Sequence, residues 1–424
     1  MVTEGEMASA STHPVDAYRV QRRTVRILVA AQILGGLGVG SGIAVGSLLV
    51  EQLSGSATLA GLALTASVLG GALAAVPLAR LSQSRGRRWG VGMGYATGAV
   101  GGLLVVVAAD AGAVLFALLG MTLFGAASAA NLQARFAATD LAAVEHRARA
   151  LSIVVWATTI GAVVGPNLVE PAGRSMQALG LPPLAGPFLW SVAAFSAGAL
   201  ILLLALRPDP LLSARALRGA DEPADANTSL RAAFGVVANA PLALLGLATV
   251  VVAHSVMVGV MVMTPVHMSR GGTALRIIGL VISGHIAGMY AFSPVFGWLA
   301  DRIGRVPVVG VSIGFFAGAL VVAGTAGDHA AGQLGLGLFL LGLGWSAGLV
   351  AGSTLITDGV ALPDRAGAQG AADFLMQFSG AAAGALAGVI VGAAGYGVLT
   401  AAAAVLLVPV LLLAVPKWRA AGAA

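Results

Sequence analysis

GWLADRIGR (residues 297–305) is a charged segment between two long apolar runs, which we place near 274–299 and 307–325. A helix of about 20 apolar residues crosses the roughly 30 Å hydrocarbon layer of a bilayer. Because both runs are of about that length, the segment is predicted to be the short loop between two membrane-spanning helices.

Apolar runs of this kind recur along the whole chain. Of the 424 residues, 58% are hydrophobic and 9% are charged, whereas soluble domains carry about 25% charged residues. The sequence therefore predicts an all-α membrane protein with twelve transmembrane helices in two six-helix halves. The predicted spans lie near 26–50, 57–79, 89–109, 111–134, 150–170 and 186–206 in the first half, and near 240–267, 274–299, 307–325, 332–356, 369–392 and 395–415 in the second.

A polar stretch between the sixth and seventh spans divides the chain into predicted parts. These parts are a cytoplasmic N-terminal segment (1–25), an N-terminal six-helix half (26–206), a cytoplasmic linker (207–237), a C-terminal six-helix half (238–415) and a cytoplasmic tail (416–424).

Basic residues give the predicted orientation, because cytoplasmic loops near span ends carry the excess of Lys and Arg. All but three of the 23 Lys and Arg residues fall on one side, the exceptions being Arg174, Arg270 and Arg276. We therefore expect both termini in the cytoplasm, and the net charge of +6 reflects this topology rather than a nucleic-acid surface. Sparse lysine with abundant Ala, Gly and Arg favours a bacterium, and thus a multi-pass protein of its plasma (inner) membrane.

The charged loop has a counterpart in the first half. RLSQSRGRR at 80–88 aligns with 298–306, and TDLAAVEHRARA at 139–150 aligns with TDGVALPDRAGA at 357–368. Matching letters in both pairs stand 218 residues apart. A constant offset indicates parallel repeats related by an axis along the membrane normal.

GWLADRIGR resembles the G-x-L-A-D-R-x-G-R loop signature of the major facilitator superfamily, which lies between the second and third helices of a half. The resemblance implies a transporter in which two halves rock about a central site. It also implies gating roles for Asp301, Arg302 and Arg305. In the first-half copy Gln83 stands where the second half has Asp301, so an aspartate-based lock is not expected there.

Methionine and histidine are concentrated in residues 254–289. This window holds five of 11 Met and three of six His, whereas uniform scatter would place about one or two of those 17 residues in it. Met257 and Met261 are four residues apart, as are His285 and Met289, so each pair shares a helix face. Neutral thioether and imidazole donors without thiolate or carboxylate favour Cu(I).

The M-x-x-x-M and H-x-x-x-M motifs, with 24 residues from Met261 to His285, resemble the CcoA-like copper importers, a branch of the major facilitator superfamily. The resemblance implies that Met257, Met261, His285 and Met289 bind copper, which is the transported substrate rather than a cofactor. Possible secondary ligands are His254, Met263, His267 and Met268, the last two at the outer mouth. Packing is the competing interpretation, because methionine fills gaps and histidine bonds neighbouring helices.

Charged and amide side chains in the spans are the candidates for gating or coupling. Asp373 and Gln377 lie on one face of the eleventh span, and Arg135 lies at similar depth on the fourth. Because charges inside a membrane usually pair, we expect a gate formed by Asp373 and Arg135. Alternatively, Asp373 carries a coupling proton.

Enzyme activity and cofactors are not expected. A phosphate-binding loop needs lysine after glycine, and the single lysine is Lys417. Two G-x-S-x-G matches, at 310–314 and 344–348, lie inside spans without the strand-turn-helix setting of a hydrolase. The expected partners are the lipid bilayer and copper or a small-molecule substrate, with no nucleic acid, and the chain is expected to be monomeric.

Two further functions remain open on sequence grounds. One is a proton-coupled exporter of drugs or other small amphipathic compounds, in which the methionine-rich face is an adaptable apolar pocket. The other is a copper-binding sensor that does not transport.

Overall fold

The computed structural model describes residues 14–178, 180–217, 229–327 and 330–421. Within those residues the regular structure is helical, with no strand, which confirms the predicted all-α class. The α-helices are α1 (Pro14–Ser54), α2 (Ala57–Arg85), α3 (Arg87–Ala111), α4 (Val114–Ala137), α5 (Arg147–Asn167), α6 (Val169–Gln177), α7 (Gly186–Ala205), α8 (Pro210–Leu217), α9 (Leu230–Asn239), α10 (Pro241–Arg270), α11 (Leu275–Tyr290), α12 (Ser293–Ile303), α13 (Arg305–Gly324), α14 (Ala331–Gly359), α15 (Arg365–Ala394), α16 (Tyr396–Val405) and α17 (Leu407–Ala421).

Twelve segments of the described chain are long and apolar enough to cross a membrane, as predicted. The eighth span differs in detail from the single run expected near 274–299. It consists of two helices, α11 and α12, and extends to Ile303. The break follows from Pro294, which lacks an N–H and is favoured in the first turn of a helix, so that α12 begins anew at Ser293.

Buried apolar side chains form two large clusters. One is drawn entirely from residues 28–206, whereas the other joins residues 237–414 to four buried side chains of α4 and α5. The halves meet chiefly where α2 packs against α15 and where α5 packs against α12. Movement of one half against the other must therefore occur at these two seams.

The turns after α2 and after α12 show that the repeat extends to backbone conformation. Gly86 and Gly304, 218 residues apart, both have φ of +95°. Glycine adopts this φ without the strain that a Cβ imposes, so both halves use glycine at this point. We call the end of the bundle that carries these two turns the arginine-rich end, and the sequence predicts that it faces the cytoplasm.

Candidate functional site

His285 on α11 is completely buried, and its Nδ1 lies 2.7 Å from the carbonyl oxygen of Leu338 on α14. A carbonyl oxygen can only accept, so Nδ1 carries the proton, and in the neutral ring Nε2 holds a lone pair. Nε2 is buried and has no hydrogen-bond partner among the described residues. A histidine that binds a metal usually donates its other N–H to a carbonyl or carboxylate oxygen in this way.

The predicted methionine partners of His285 are mostly buried. Met289 lies one turn further along α11 and is 7% exposed, Met257 on α10 is 4% exposed, and Met261 is half-buried. α10 packs against α14 and α15, whereas α11 packs mainly against α14, so α14 joins the two helices that carry the donors. In the described ranges, no group of three or more His, Asp or Glu side chains is placed to hold a metal. A metal bound on these helices would therefore depend on thioether sulfur.

His254 on α10 has the opposite arrangement. Trp345 Nε1 on α14 donates to His254 Nδ1 at 3.2 Å, which uses the Nδ1 lone pair and leaves the proton of the neutral ring on Nε2. Trp345 also packs edge-on against Tyr290, with 5.4 Å between ring centroids. We call His254, Tyr290 and Trp345 the aromatic cluster. Sequence reasoning missed Trp345 and Tyr290, because contacts among three helices leave no spacing pattern in the chain.

The remaining secondary candidates lie near the far end of α10. The His267 ring stacks on the ring of Tyr396 with centroids 4.5 Å apart, and Tyr396 Oη lies 2.7 Å from Thr264 Oγ1. Met263 is half-buried and Met268 is completely buried. In this conformation Met268 therefore faces the protein interior rather than an open mouth.

Arg135 on α4 and Asp373 on α15 form a buried ion pair between the halves, with 2.6 Å between Nη2 and Oδ1. Arg135 also donates from Nε to Ser353 Oγ at 3.1 Å, and its Cζ lies 4.3 Å from the ring centroid of Phe136. Asp373 Oδ2 is buried without a hydrogen-bond partner in the part of the chain that the structure describes. The expected contact is present, and the gating role assigned to it stays a prediction.

Asp301 binds the start of α5 across the second seam. Its two carboxylate oxygens accept hydrogen bonds from successive backbone N–H groups there, at 3.2 and 2.9 Å. The free N–H groups and the dipole of a helix N-terminus both stabilise a carboxylate. Arg305 lies 3.2 Å from Asp358, which also pairs with Arg147 of the first half. These contacts close the arginine-rich end on the α5–α12 side.

On the α2–α15 side, side-chain amides take part in both contacts that join the halves. Gln83, in the place of Asp301, donates from Nε2 to the carbonyl oxygen of Pro363 just before α15, at 3.0 Å. Arg87 donates to the Gln369 side-chain oxygen in the other half at 2.6 Å. The carboxylate that binds a helix N-terminus on one side is thus replaced by an amide on the other.

Arg302 and Gln377, the other predicted gating residues, differ in their surroundings. Arg302 is exposed, and its Cζ lies 5.1 Å from the ring centroid of Trp298 on the same helix. Gln377 is 9% exposed and approaches α2 so closely that a Cβ at Gly71 would lie 2.8 Å from its Nε2. Gln377 therefore contacts the opposite half, whereas Arg302 packs locally.

Within the described ranges, twelve apolar segments long enough to cross a membrane form two related halves that ion pairs join at one end. This is the architecture of a membrane transporter. The family model of the Major Facilitator Superfamily matches residues 28–275 and 272–421. The chain belongs to this superfamily, so it is a multi-pass membrane transporter and not an enzyme.

Similar proteins span nearly the whole chain. It is 39% identical over 402 residues to the uncharacterized MFS-type transporter YddS of Bacillus subtilis (strain 168), covering 94% of this chain and 92% of that one. It is 30% identical over 407 residues to the riboflavin transporter RfnT of Brucella anthropi, covering 95% and 98%. The crystal structure of the human organic anion transporter MFSD10 (TETRAN) shares the fold, with a TM-score of 0.74 at 17% identity over 93% of this chain and 99% of that one.

Proposed function

We propose that this transporter imports copper, as Cu(I) or as a copper complex, by alternating access across the plasma (inner) membrane of a bacterium. The observation that carries the proposal is the hydrogen bonding of His285. Its Nδ1–H donates to the Leu338 carbonyl oxygen, and the buried Nε2 atom has no hydrogen-bond partner among the described residues. The resemblance to the CcoA-like copper importers supplies Met257, Met261 and Met289 as its thioether partners.

The chemistry of these donors suits a soft ion that must be released again. Thioether and neutral imidazole bind Cu(I), whereas Mg²⁺ and Ca²⁺ prefer oxygen ligands. Because the donors are uncharged, they also avoid the cost of burying charge in the membrane. The donor set therefore favours transient binding of Cu(I) over permanent retention of a divalent metal.

The arginine-rich end is closed in this structure. With that end in the cytoplasm, as the sequence predicts, the structure is closed to the inside, which is one of the two end states of alternating access. The inward direction of transport comes from the resemblance to the copper importers. Pro265 has no N–H to give to the carbonyl oxygen of Met261. One intrahelical hydrogen bond is therefore missing at the turn of α10 that carries this donor, which favours bending of the helix there.

Copper accumulation tests the proposal. A copper-import-deficient bacterial strain would express the wild type, His285→Ala, Met257→Ala or the control Met93→Ala, which removes a 37% exposed methionine of α3. We expect the wild type and Met93→Ala to restore accumulation, and the two site variants to lose it by about tenfold or more. No accumulation by a well-expressed wild type would overturn copper import, and binding without uptake in proteoliposomes would indicate a non-transporting sensor.

A proton-coupled exporter of drugs or other small amphipathic compounds is the second candidate, and the aromatic cluster favours it. Its rings combine π faces with polar edges, which suit a flat ring that carries hydrogen-bonding groups. Riboflavin, named for the relative RfnT, has such a ring. In this function Asp373 would carry the coupling proton.

Efflux of a flavin or an aromatic dye from loaded cells tests the second candidate. We expect Trp345→Ala to slow the efflux several-fold and Met257→Leu to leave it unchanged, because only the first removes a ring of the aromatic cluster. Efflux that is the same in cells with and without the wild-type protein would exclude this function for the compound tested.

A further inference from the structure

The donors on α11 flank a point where two helix backbones touch. A Cβ at Gly342 of α14 would clash with the carbonyl oxygen of His285 and would lie 2.9 Å from the backbone nitrogen of Met289. In the other direction, a Cβ at Gly288 would lie 2.7 Å from the carbonyl oxygen of Phe339. Glycine at both positions therefore lets α11 and α14 cross in backbone contact.

The first half contains the same crossing, between α2 and α4. A Cβ at Gly125 would clash with the carbonyl oxygen of Ser67 and would lie 2.7 Å from the backbone nitrogen of Gly71. Ser67 and Gly71 stand 218 residues before His285 and Met289. The donor pair is thus built onto a crossing that both halves share.

We propose that Gly342 is a positioning residue of the copper site. Leu338 lies one turn before Gly342 on α14, so the close crossing sets the 2.7 Å distance from its carbonyl oxygen to His285 Nδ1. That hydrogen bond keeps the proton on Nδ1 and Nε2 free to bind a metal. A methyl group at Gly342 would force α14 away from α11, and Nδ1 would lose its acceptor. This role rests on the copper function proposed above.

The tautomer of His285 is the direct readout. Ring nitrogen shifts in NMR spectra of ¹⁵N-histidine-labelled protein, assigned by comparison with His285→Asn, are expected to show the Nδ1–H form in the wild type. We expect Gly342→Ala to lose this form and to bind Cu(I) about tenfold or more weakly in competition with a chelator. Gly125→Ala makes the same change at the first-half crossing and is expected to leave both measurements unchanged.

The outcomes separate the positioning role from the copper function. An Nε2–H tautomer in the wild type, or an unchanged tautomer and affinity in Gly342→Ala, would overturn the positioning role. The tautomer of the wild type is read from the wild-type spectrum alone, so this outcome can be measured even if Gly342→Ala does not fold. The Nδ1–H form could be present in the wild type and lost in Gly342→Ala while the wild type binds no Cu(I). That result would keep the positioning role and overturn the copper function.

A separate feature, the helix α8 in the linker, bridges the halves at the arginine-rich end. Asp209, just before α8, accepts a hydrogen bond from the backbone N–H of Arg88 at 2.9 Å. Arg215 on α8 donates from Nη1 to the carbonyl oxygen of Gln83 at 2.7 Å. Both contacts tie α8 to the first half, beside the residue that replaces the lock aspartate.

The apolar face of α8 reaches the second half. Leu211 and Ala214 form a small buried cluster with Leu362 and Ala366, which stand on either side of Pro363 in the chain. The carbonyl oxygen of Pro363 is the acceptor for the Gln83 side chain. The α8 helix therefore packs over the place where the amide contact joins the halves.

We infer that α8 is a strap that strengthens this closure where the aspartate is missing. Asp301 closes its side with charge-assisted hydrogen bonds, which are roughly twice as strong as the neutral bond that Gln83 makes. Burial of Leu211 and Ala214 against the second half adds apolar contact on the side that lacks the aspartate. When the arginine-rich end opens, α8 stays with the first half and leaves Leu362 and Ala366.

Spin-label distances test the strap without reference to any substrate. The chain has no cysteine, so Ser84→Cys and Ala361→Cys place labels at two exposed sites, one in each half beside the amide contact. The strap variant combines Leu211→Ala with Arg215→Ala. We expect it to shift the population toward long distances between the two labels, and we expect the further change Gln83→Asp to reverse this shift. Leu212→Ala, which truncates a 41% exposed side chain of α8, is the matched control and is expected to change nothing. Equal distance distributions in the strap variant and the control would overturn the inference.

Discussion

Arg135 and Ser353 touch each other across the two halves: they stand 218 residues apart, and Arg135 Nε donates to Ser353 Oγ at 3.1 Å. Because 218 is the offset at which the loops of the two halves match, the contact joins corresponding stretches of α4 and α14. Asp373 breaks the symmetry, since the residue 218 positions earlier is Val155. The ion pair with Arg135 therefore has no symmetric counterpart.

The buried ion pair makes opposite predictions for single and double substitution. Asp373→Leu leaves Arg135 buried without its partner, which is expected to destabilise the protein by about 3–5 kcal/mol. Arg135→Leu combined with Asp373→Leu removes both buried charges and is expected to recover most of that loss. Thermal unfolding in detergent measures both. Glu170→Ala, which breaks an exposed pair with Arg174, is the control and should cost at most about 1 kcal/mol. A single variant as stable as the wild type would show that Arg135 is solvated without Asp373.

The two central histidines are expected to differ in copper binding. His285→Gln removes a lone pair held ready for a metal, so Cu(I) affinity in a chelator competition should fall about tenfold or more. His254→Gln removes a ring whose Nδ1 lone pair already accepts the Trp345 N–H, so affinity should stay within about twofold of the wild type. The reverse order of effects would place the ion at the aromatic cluster instead.

The two turn glycines allow a matched comparison of backbone strain and steric clash. Gly86→Ala and Gly304→Ala introduce a Cβ at the same φ of +95°, so both are expected to lower the unfolding temperature. A Cβ at Gly86 would also lie 2.5 Å from the Asp209 carboxylate, whereas at Gly304 the nearest neighbour is Pro307 at 3.6 Å. Gly86→Ala should therefore lower the unfolding temperature more. Equal shifts would mean that Asp209 moves aside without cost.

The carboxylate of Asp301 is expected to hold the α5–α12 side closed. Asp301→Asn keeps the shape of the side chain but removes its negative charge. The interaction with the N-terminus of α5 should weaken by about 0.5–1 kcal/mol. Spin labels at Ser84→Cys and Ala361→Cys should then report more of the long-distance population. Glu145→Gln, an exposed carboxylate change at the same end, should leave the distances as they are. If both variants behave alike, net charge rather than the helix contact controls closure.

Features that belong to one segment were predictable from the sequence. Span length follows from the thickness of the membrane, and the repeat follows from a constant offset, so the number of spans was confirmed. The pairing of Arg135 with Asp373 was predictable for a similar reason, because the cost of charge in a membrane applies to each residue before any contact is known.

Features that depend on distant neighbours were not predictable. His254 and His285 are the same residue type in similar surroundings, and what distinguishes them is Trp345 in one case and the Leu338 carbonyl in the other, 91 and 53 residues away. The α8 strap was not predictable because its few apolar residues lie in a linker, 207–237, whose overall composition is polar.

The shared helix crossing is occupied differently in the two halves. In the first half the positions equivalent to His285 and Met289 are Ser67 and Gly71, and Gly71 lies beside Nε2 of Gln377 from the opposite half. The second half alone thus carries the donor pair at this crossing. If copper is the cargo, the crossing provides one such donor pair per chain rather than two.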